Sequence, residues 1–285
     1  MALSQDYPNF EVIVVDQSLY VPDAVKRLIQ AGGRPLNYIQ LSSPNLPAAR
    51  NVGVRAAKGE IIVFIDDDVV IRPDYVSSHA KHFSDPAVGG VTGFTLSANG
   101  ARPDLESTLK HYGVKQRFAD GTALVSWIVG CNASYRSRSI IEAGMCDERF
   151  TGTAWCEDVD LAVRVEHAGY KLLFDPQINL THLELPSGGC GNRTTVNTDR
   201  QQDERSRLFL FFVIKNRKVL GSWKLCRSLW HGYRQYACNR RVITKWSRFL
   251  QEQRRFLRNL RLAAAMCGED AAALKSASRS SDFPQ

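Results

Sequence analysis

Two short, mostly apolar runs alternate with amphipathic segments in the first 65 positions of the chain. The runs are Phe10–Val15 and Glu60–Ile65; both are rich in β-branched residues, and an acidic residue follows each. Runs that are apolar on both faces are typical of buried parallel strands. Segments 22–31 and 47–58 each begin at a proline and end before a glycine, which is the usual punctuation of a helix. This alternation predicts an α/β fold with a mostly parallel sheet flanked by helices.

The pattern continues in the second half of the chain and then changes. Residues 157–168 predict a helix, and Tyr170–Asp175 predicts a further strand. Ser187–Arg193 contains three glycines and predicts a flexible loop. From Arg205 onward the pattern is helical, basic and aromatic, and small and polar residues over 268–285 predict a frayed tail. The helical pattern after Arg205 therefore predicts a different kind of segment from the α/β part.

Composition and charge divide the chain at the same place. Its 285 residues are 44% hydrophobic and 23% charged, as in ordinary globular proteins, which excludes a wholly disordered or collagen-like chain. Residues 200–262 hold 17 Lys and Arg against 3 Asp and Glu, a net charge of +14, whereas residues 1–199 carry −5. We therefore predict an α/β domain over 1–199 and a basic amphipathic helical extension with a disordered tail over 200–285.

Cysteines and apolar segments bear on the compartment. The seven cysteines are scattered, odd in number and form no C-x-x-C pair, which favours reduced thiols in a cytosolic protein. Residues 1–11 lack the charged start and apolar run of a signal peptide. The longest late apolar run, Leu208–Ile214, is far shorter than the about 20 residues that span a bilayer. These features predict a cytoplasmic protein, with peripheral attachment to the inner face of the membrane as a further expectation.

The clearest chemical motif is the run Asp66-Asp67-Asp68 directly after a predicted buried strand. Three adjacent carboxylates repel one another, so a purely structural role would use one of them as a cap. Hard cations such as Mg²⁺ and Mn²⁺ bind carboxylate oxygens and bridge them to substrate phosphates. In open α/β sheets, ligands bind at the carboxyl ends of strands. A metal site and a solvated acidic turn are the two interpretations of this motif.

Five further positions carry two interpretations each. Glu157 and Asp158 begin a predicted helix, where acids serve either as caps or as catalytic groups. Trp155 beside them is either a core residue or a platform for a sugar ring. Arg50 is either a surface residue or a contact for an anionic ligand in the same crevice. His182 is either a structural histidine or a metal ligand.

Several blocks in order resemble the family 2 glycosyltransferases of the GT-A fold. The resemblance covers about residues 5–185 and rests on these blocks: QDYPNFEVIVVDQS, LPAARNVGVRAAKGEIIVFIDDDV, GCNASYRSRSIIEAGMCDERF, WCEDVDLAVRVEHAGYKLLFDP and a final Thr181-His182. A series of blocks at the family's spacing is far more specific than any one motif. The resemblance implies a Rossmann-like GT-A domain that transfers a sugar from a nucleotide diphosphate-sugar, with inversion at the anomeric carbon.

The resemblance also implies roles for single residues. Asp16 matches the acid that contacts the nucleobase, and Arg50 matches a residue of the nucleotide region. Asp66 and Asp68 match the two acids of the family's D-x-D element, with Asp66 near the ribose and Asp68 on a Mg²⁺ or Mn²⁺ ion. Asp158 matches the catalytic base.

Two residues are assigned less directly. With Asp158 as the base, Glu157 is expected to orient the loop or the acceptor. His182 is expected to join Asp68 as a ligand of the metal ion. The expected partners are a nucleotide diphosphate-sugar and a glycan or lipid-linked acceptor. The alternative to an enzyme is a non-catalytic, truncated protein that binds a nucleotide or a sugar.

The basic segment 200–262 has three interpretations. Paired arginines interleaved with tryptophan and tyrosine are typical of amphipathic helices on an anionic membrane surface. Basic residues with aromatics also bind single-stranded nucleic acid, which we rank lowest, and a solvated helix face is the third interpretation. Lipid-linked acceptors are common among the glycosyltransferases that this chain resembles, so the resemblance favours the membrane.

One departure from the family lies at the N-terminus. Family members usually begin with a strand, a loop and a helix that have no counterpart before Ala2. In the family that strand pairs between the strands matching Phe10–Val15 and Glu60–Ile65. We therefore expect a shortened, less stable chain with a gap or a re-paired sheet beside Phe10–Val15.

Overall fold

The computed structural model describes residues 1–21, 23–30, 36–185, 199–238 and 246–279. The chain divides into two compact units. The first comprises Met1–Gly152 and Glu157–Thr194, and the second comprises Thr153–Cys156 and Thr195–Gln285. The domain boundary that charge predicts, between 199 and 200, lies five positions from this division.

The first unit alternates strands and helices. Its strands are β1 (Val12–Asp16), β2 (Leu36–Gln40), β3 (Ile61–Ile65), β4 (Val69–Val70), β5 (Val88–Leu96), β6 (Gln116–Arg117), β7 (Ala123–Leu124), β8 (Asn132–Arg136) and β9 (Lys171–His182). Its helices are α1 (Asp23–Gln30), α2 (Leu46–Ala56), α3 (Tyr75–Ala80), α4 (Leu105–His111), α5 (Ser137–Glu142) and α6 (Glu157–His167). Short 3₁₀ turns occupy Ala2–Ser4 and Lys81–Ser84. The predicted helices 22–31, 47–58 and 157–168 correspond to α1, α2 and α6.

The central sheet is mixed rather than mostly parallel. Within the described residues its strands run in the order β3-β8-β5-β9-β7-β6, and β4 pairs with β9. Strand β5 is parallel to β9, whereas β8 is antiparallel to both β3 and β5. The predicted α/β class is confirmed, but the expected parallel sheet is wrong for these pairings. Strand β8 has no apolar run in its sequence because it contains the polar residues Asn132 and Ser134. These residues are buried, and they form hydrogen bonds with Tyr75 and His79.

Strands β1 and β2 form a separate parallel pair. Val12–Asp16 is in register with Leu36–Gln40, and within the part of the chain that the structure describes neither strand joins the central sheet. The expected gap beside Phe10–Val15 is therefore present. Strand β1 is half-buried rather than buried: Val14 is 37% exposed, and Ile65 at the end of β3 is 38% exposed. The sequence overestimated their burial because no described strand covers the edge between them.

The core of the first unit lies around β5, β8 and β9. Phe94 of β5 meets Phe174 of β9 edge to face, with ring centroids 5.0 Å apart. Leu161 of α6 packs into the same cluster and is almost fully buried. Gly93 permits this close approach, since a Cβ there would lie 2.1 Å from the carbonyl oxygen of Ile178. These contacts fix β9, and with it the position of His182 at the end of the strand.

The second unit is helical. It contains α7 (Asp199–Lys215), α8 (Arg217–Tyr236) and α9 (Trp246–Arg279), and α8 is interrupted at Gly221, which has a φ of +68°. Helix α9 includes 268–279, where the sequence predicts an irregular tail; the alanines at 271–273 favour the helix. The predicted loop Ser187–Arg193 lies outside the described residues. None of the described helices is both long and apolar enough to cross a bilayer.

Candidate functional site

The aspartates that follow β3 meet the histidine that ends β9. Nε2 of His182 lies 3.5 Å from Oδ2 of Asp66 and 3.5 Å from Oδ1 of Asp68. Strand β4 aligns Val69 with His182, so the pairing of β4 with β9 brings the two motifs together. Asp67 between the two acids is exposed. The structure thus assembles three of the sequence-predicted residues at one edge of the sheet.

Backbone hydrogen bonds hold this group. The amide of Leu183 donates to the carbonyl oxygen of Asp68 at 2.8 Å, and the amide of Leu185 donates to Oδ2 of Asp68 at 3.2 Å. The amide of Glu184 donates to Nδ1 of His182 at 3.1 Å. Because Nδ1 accepts a hydrogen bond, the proton of the neutral imidazole resides on Nε2, which faces the two carboxylates. In this arrangement His182 bridges Asp66 and Asp68 as a donor.

Cys131 also belongs to the group, and sequence analysis missed it. One ligand atom each of Cys131, Asp66 and His182 lie within 4.8 Å of one another. Burial raises the pKa of the Cys131 thiol to about 11, so it is neutral at pH 7. A neutral thiol is a poor ligand for a hard cation, and the two carboxylates are better donors. The one sequence signal for Cys131 was its position in the segment beginning at Gly130 that resembles the glycosyltransferase family.

Arg50 joins the aspartates to helix α6. Its guanidinium forms an ion pair with Glu157, the first residue of α6, and its Nη2 lies 4.0 Å from Oδ1 of Asp66. The guanidinium also lies over the ring of Phe64, 5.4 Å from its centroid. The side chain of Arg50 is only 10% exposed. The predicted surface interpretation of Arg50 is therefore wrong, because α2 directs it into the interior between two acids.

Glu157 is a buried acid with a shifted pKa. Its side chain is 4% exposed, and burial raises its pKa to about 7 against the opposing charge of Arg50. The negative charges of Asp158 and Asp66 raise it further. Burial alone would lower the pKa of Arg50, but the surrounding acids, Glu157 foremost, raise it above its usual value. Oε2 of Glu157 has no hydrogen-bond partner among the described residues.

Asp158 is held by two backbone amides. Oδ2 accepts from the amide of Gly130 at 2.9 Å, and Oδ1 accepts from the amide of Val159 at 2.8 Å. A Cβ at Gly130 would lie 2.5 Å from Nη2 of Arg50, so a side chain there would displace the guanidinium. Gly130 is thus a second site residue that the sequence did not single out. The carboxylate of Asp158 is oriented, with lone pairs left on both oxygens for a further partner.

Asn51 fastens the loop 144–150 to α2. Its side chain accepts from the amide of Cys146 at 2.9 Å and donates to the carbonyl of Cys146 at 2.9 Å and to Oε1 of Glu148 at 2.8 Å. Asn45, the N-cap of α2, donates to the carbonyl of Glu148 at 3.0 Å. Helix α2 therefore fixes both this loop and the direction of Arg50.

Asp16 ends β1 and has hydrogen-bond partners of its own. Its carboxylate accepts from the hydroxyl of Tyr38 at 2.6 Å and from the amide of Ser18 at 2.7 Å. Burial would raise the pKa of Asp16, but these hydrogen bonds outweigh it and lower the pKa. In the described part of the chain, Asp16 makes no ion pair or hydrogen bond with the other predicted site residues.

Trp155 belongs to the second unit. Its ring is 39% exposed, and the guanidinium of Arg205 lies 5.0 Å from the ring centroid. The flanking residues Ala154 and Cys156 have positive φ values of 49° and 70°. Trp155 therefore makes a cation–π contact with Arg205. Its role in binding the sugar of the acceptor stays a prediction.

A family model and curated relatives each match about half of the chain. Residues 2–144 match the model of glycosyl transferase family 2. The putative glycosyltransferase EpsH of Bacillus subtilis is 31% identical over 157 residues, which cover 49% of this chain and 42% of EpsH. The pre-mycofactocin glycosyltransferase of Mycobacterium tuberculosis is 30% identical over 140 residues, 47% of this chain and 29% of that protein. The chain thus spans less than half of the length of these curated relatives.

Solved structures share the fold. S. aureus TarS in complex with UDP-GlcNAc has a TM-score of 0.62 at 17% identity, over 91% of this chain and 73% of that one. The mannosyltransferase PcManGT of Pyrobaculum calidifontis, in complex with GDP-Man and Mn²⁺, has a TM-score of 0.54 at 18% identity, over 94% and 81%. These likenesses confirm the predicted GT-A architecture. Since the family model covers half of its length, the chain belongs to glycosyl transferase family 2.

Proposed function

We propose that this protein transfers a sugar from a nucleotide diphosphate-sugar to an acceptor hydroxyl, with inversion at the anomeric carbon. One observation carries the proposal: Asp66, Asp68 and His182 meet at one sheet edge, and Arg50 joins them to the helix that begins with Glu157 and Asp158. The arrangement combines a carboxylate pair suited to a cation with a separate, oriented carboxylate. A one-step displacement requires these two parts and no covalent nucleophile.

The carboxylate pair fits Mg²⁺ or Mn²⁺. Asp68 and Asp66 offer the oxygen donors that such ions prefer, and PcManGT was solved with Mn²⁺. For His182 to ligate through Nε2, its proton must move to Nδ1, and the amide of Glu184 must release it. A bound ion would neutralise the diphosphate of the donor as a Lewis acid.

Asp158 is the proposed general base. Its two backbone hydrogen bonds fix the carboxylate without filling all of its lone pairs. It accepts the proton of the acceptor hydroxyl while that oxygen bonds to the anomeric carbon. The bond from this carbon to the diphosphate breaks in the same step, and the nucleoside diphosphate leaves. General-base catalysis of this kind contributes about 10²–10⁴-fold to the rate.

Other residues position these groups. Arg50 holds Glu157 and lies near Asp66, so it links the donor end of the site to the start of α6. Asp16, kept ionised by Tyr38 and Ser18, is the proposed contact of the nucleobase. We take a UDP- or GDP-sugar as the donor, because TarS and PcManGT were solved with such ligands. The proposed acceptor is a hydroxyl of a glycan or of a lipid-linked glycan.

The test measures donor turnover and binding separately. UDP- and GDP-sugars are screened by mass spectrometry for transfer or hydrolysis, with and without Mn²⁺. In Asp158→Asn we expect turnover to fall about 10²-fold or more while nucleotide binding persists. In Asp68→Ala we expect the Mn²⁺ dependence of nucleotide binding, measured by calorimetry, to disappear. Asp67→Asn is the matched control, since Asp67 is exposed and lies between the two acids.

Three outcomes would contradict the proposal. Unchanged turnover in a folded Asp158→Asn variant would make this residue a helix cap. Equal nucleotide affinity with and without Mn²⁺ in the unmutated protein would refute the metal site. Nucleotide binding without turnover for any donor would instead favour the non-catalytic alternative.

A further inference from the structure

Helix α9 presents a stripe that combines leucine with arginine. Leu250, Arg254, Leu257 and Arg261 are spaced by four, three and four residues, so they lie on one helical face. We call these four residues the Leu–Arg stripe. All four are exposed, Leu250 at 42% and Leu257 at 54%. An ordinary solvated helix face would carry polar residues in place of these leucines.

The opposite face of α9 explains why the stripe points outward. Glu252, Asn259 and Ala263 are buried on that face. Asn259 donates to the carbonyl oxygen and to Oδ1 of Asp203 on α7, which fixes the rotation of α9 within the second unit. Glu252 is the one acidic residue of the sequence between Leu250 and Gly268, and it is buried. The exposed face over this range is therefore apolar and cationic without any acid.

An arginine-lined groove borders the stripe between α7 and α9. It encloses about 440 Å³ and is lined by Asp199, Arg200, Asp203, Gln251, Arg254, Arg255 and Arg258. Asp203 pairs with Arg255 and Arg258. Among the described residues, no carboxylate pairs with Arg200 or Arg254. Two guanidinium groups thus remain available to a phosphate at the start of α7, where the helix dipole also favours an anion.

We propose that the Leu–Arg stripe is a docking surface for an anionic phospholipid membrane. The leucines enter the interface between headgroups and acyl chains, Arg261 contacts lipid phosphates, and Arg254 with Arg200 binds a phosphate in the groove. On α9 no exposed acid lies between Leu250 and Gly268, which matches the negative charge of such a membrane. At the groove, Oδ1 of Asp199 lies 4.0 Å from Nη1 of Arg255. The inference is independent of the proposed glycosyl transfer, because every residue that carries it lies in the second unit.

Vesicle binding by the whole 285-residue chain tests the proposal. The probes are vesicles of neutral phosphatidylcholine and vesicles with 30% phosphatidylserine, assayed by flotation at low and at physiological salt. We expect preference for the anionic vesicles and release as salt rises. Arg254→Gln with Arg261→Gln should weaken this binding about 25-fold, at about fivefold for each arginine. Leu250→Gln with Leu257→Gln should weaken it at least about tenfold.

Controls distinguish membrane binding by the Leu–Arg stripe from nonspecific attraction by net charge and from binding of a free anion. Arg55→Gln with Lys110→Gln removes two exposed cationic groups of the first unit and should leave vesicle binding unchanged. Inorganic phosphate and diphosphate at millimolar concentration should not displace the protein from the vesicles. Displacement would mean that the groove binds a free anion and not the membrane. Circular dichroism spectra and thermal melts confirm that each variant is folded.

Three results would overturn the proposal. The first is equal binding to neutral and anionic vesicles. The second is unchanged vesicle binding when the two leucines are replaced, which would leave only diffuse electrostatic attraction. The third is tighter binding to single-stranded RNA than to anionic vesicles together with insensitivity to the leucine variants, which would assign the face to nucleic acid.

Discussion

Replacing Arg50 by methionine removes one partner of a buried ion pair while nearly keeping the volume of the side chain. The side chains of Arg50 and Glu157 are 10% and 4% exposed, so water cannot solvate a carboxylate left alone at Glu157. Loss of one partner of a buried pair costs about 3–5 kcal/mol. The upper end of this range is a large part of the about 5–15 kcal/mol by which domains are stable.

The destabilisation should depend on pH. The pKa of Glu157 is raised to about 7 from its usual 4.5, so the folded state binds more protons than the unfolded state between these values. The contribution of Glu157 to stability therefore falls as the pH rises through that window. Without Arg50 the pKa of Glu157 rises further. At pH 5.5 the acid is protonated in both proteins, and the variant should lose only about 1 kcal/mol, for the hydrogen bond. By pH 8 the loss should grow by about 1.4 kcal/mol, to about 2–2.5 kcal/mol, because only the unmutated protein ionises Glu157 between pH 7 and pH 8.

Urea unfolding at pH 5.5 and pH 8 measures both values. Arg138→Met is the matched control, because Arg138 is 78% exposed and pairs with Glu142 on the surface of α5; its loss should cost at most about 1 kcal/mol at either pH. A double variant of Arg50→Met with Glu157→Gln should recover part of the loss. An Arg50→Met variant equally destabilised at both pH values, or no more than the control, would refute the buried pair.

Three further predictions concern other contacts. Asn51→Ala should cost about 2–4 kcal/mol in urea unfolding, because the buried amide and carbonyl of Cys146 lose their partner; a loss below 1 kcal/mol would contradict this. Burial lowers the pKa of His79 to about 3 from 6.5, so its contribution to stability is present above pH 6.5 and is lost as the pH falls towards 3. His79→Gln should therefore reduce the fall of the melting temperature with decreasing pH, and an unchanged fall would contradict this role of His79. Asp16→Asn should weaken nucleoside diphosphate binding about tenfold by calorimetry, whereas Asp23→Asn, an exposed control, should not; equal affinities would remove Asp16 from the site.

The sequence predicts the parts of the site that depend on local pattern. Apolar runs located β1 and β3, and proline and glycine located α2, so Asp16 and Asp66 were placed at the ends of strands and Arg50 inside a helix. The pairing of Arg50 with Glu157 was not predictable in this way, since 107 positions separate them and long-range pairing leaves no local trace.

The antiparallel insertion of β8 was missed for a different reason. Its alternate residues Asn132 and Ser134 are polar and fully buried, so the strand lacks the apolar signature on which strand prediction depends. Cys131 and Gly130 directly precede this strand, and the sequence did not identify them as site residues for the same reason. Polar residues can enter a core when specific partners satisfy them, and those partners, Tyr75 and His79, are identified only by the fold.

The separation of the β1–β2 pair from the central sheet has a consequence for amide exchange. In the described residues these two strands pair with no other strand, although β1 contacts α2, and a two-stranded ribbon outside a larger sheet is only marginally stable. Their amides should exchange with solvent through local opening at a lower free energy than those of β5, β8 and β9. Since Asp16 ends β1, any ligand held there must order this ribbon, and part of its binding free energy offsets that ordering. Slower exchange of β1 and β2 would then report occupancy of the site more directly than any change in the core.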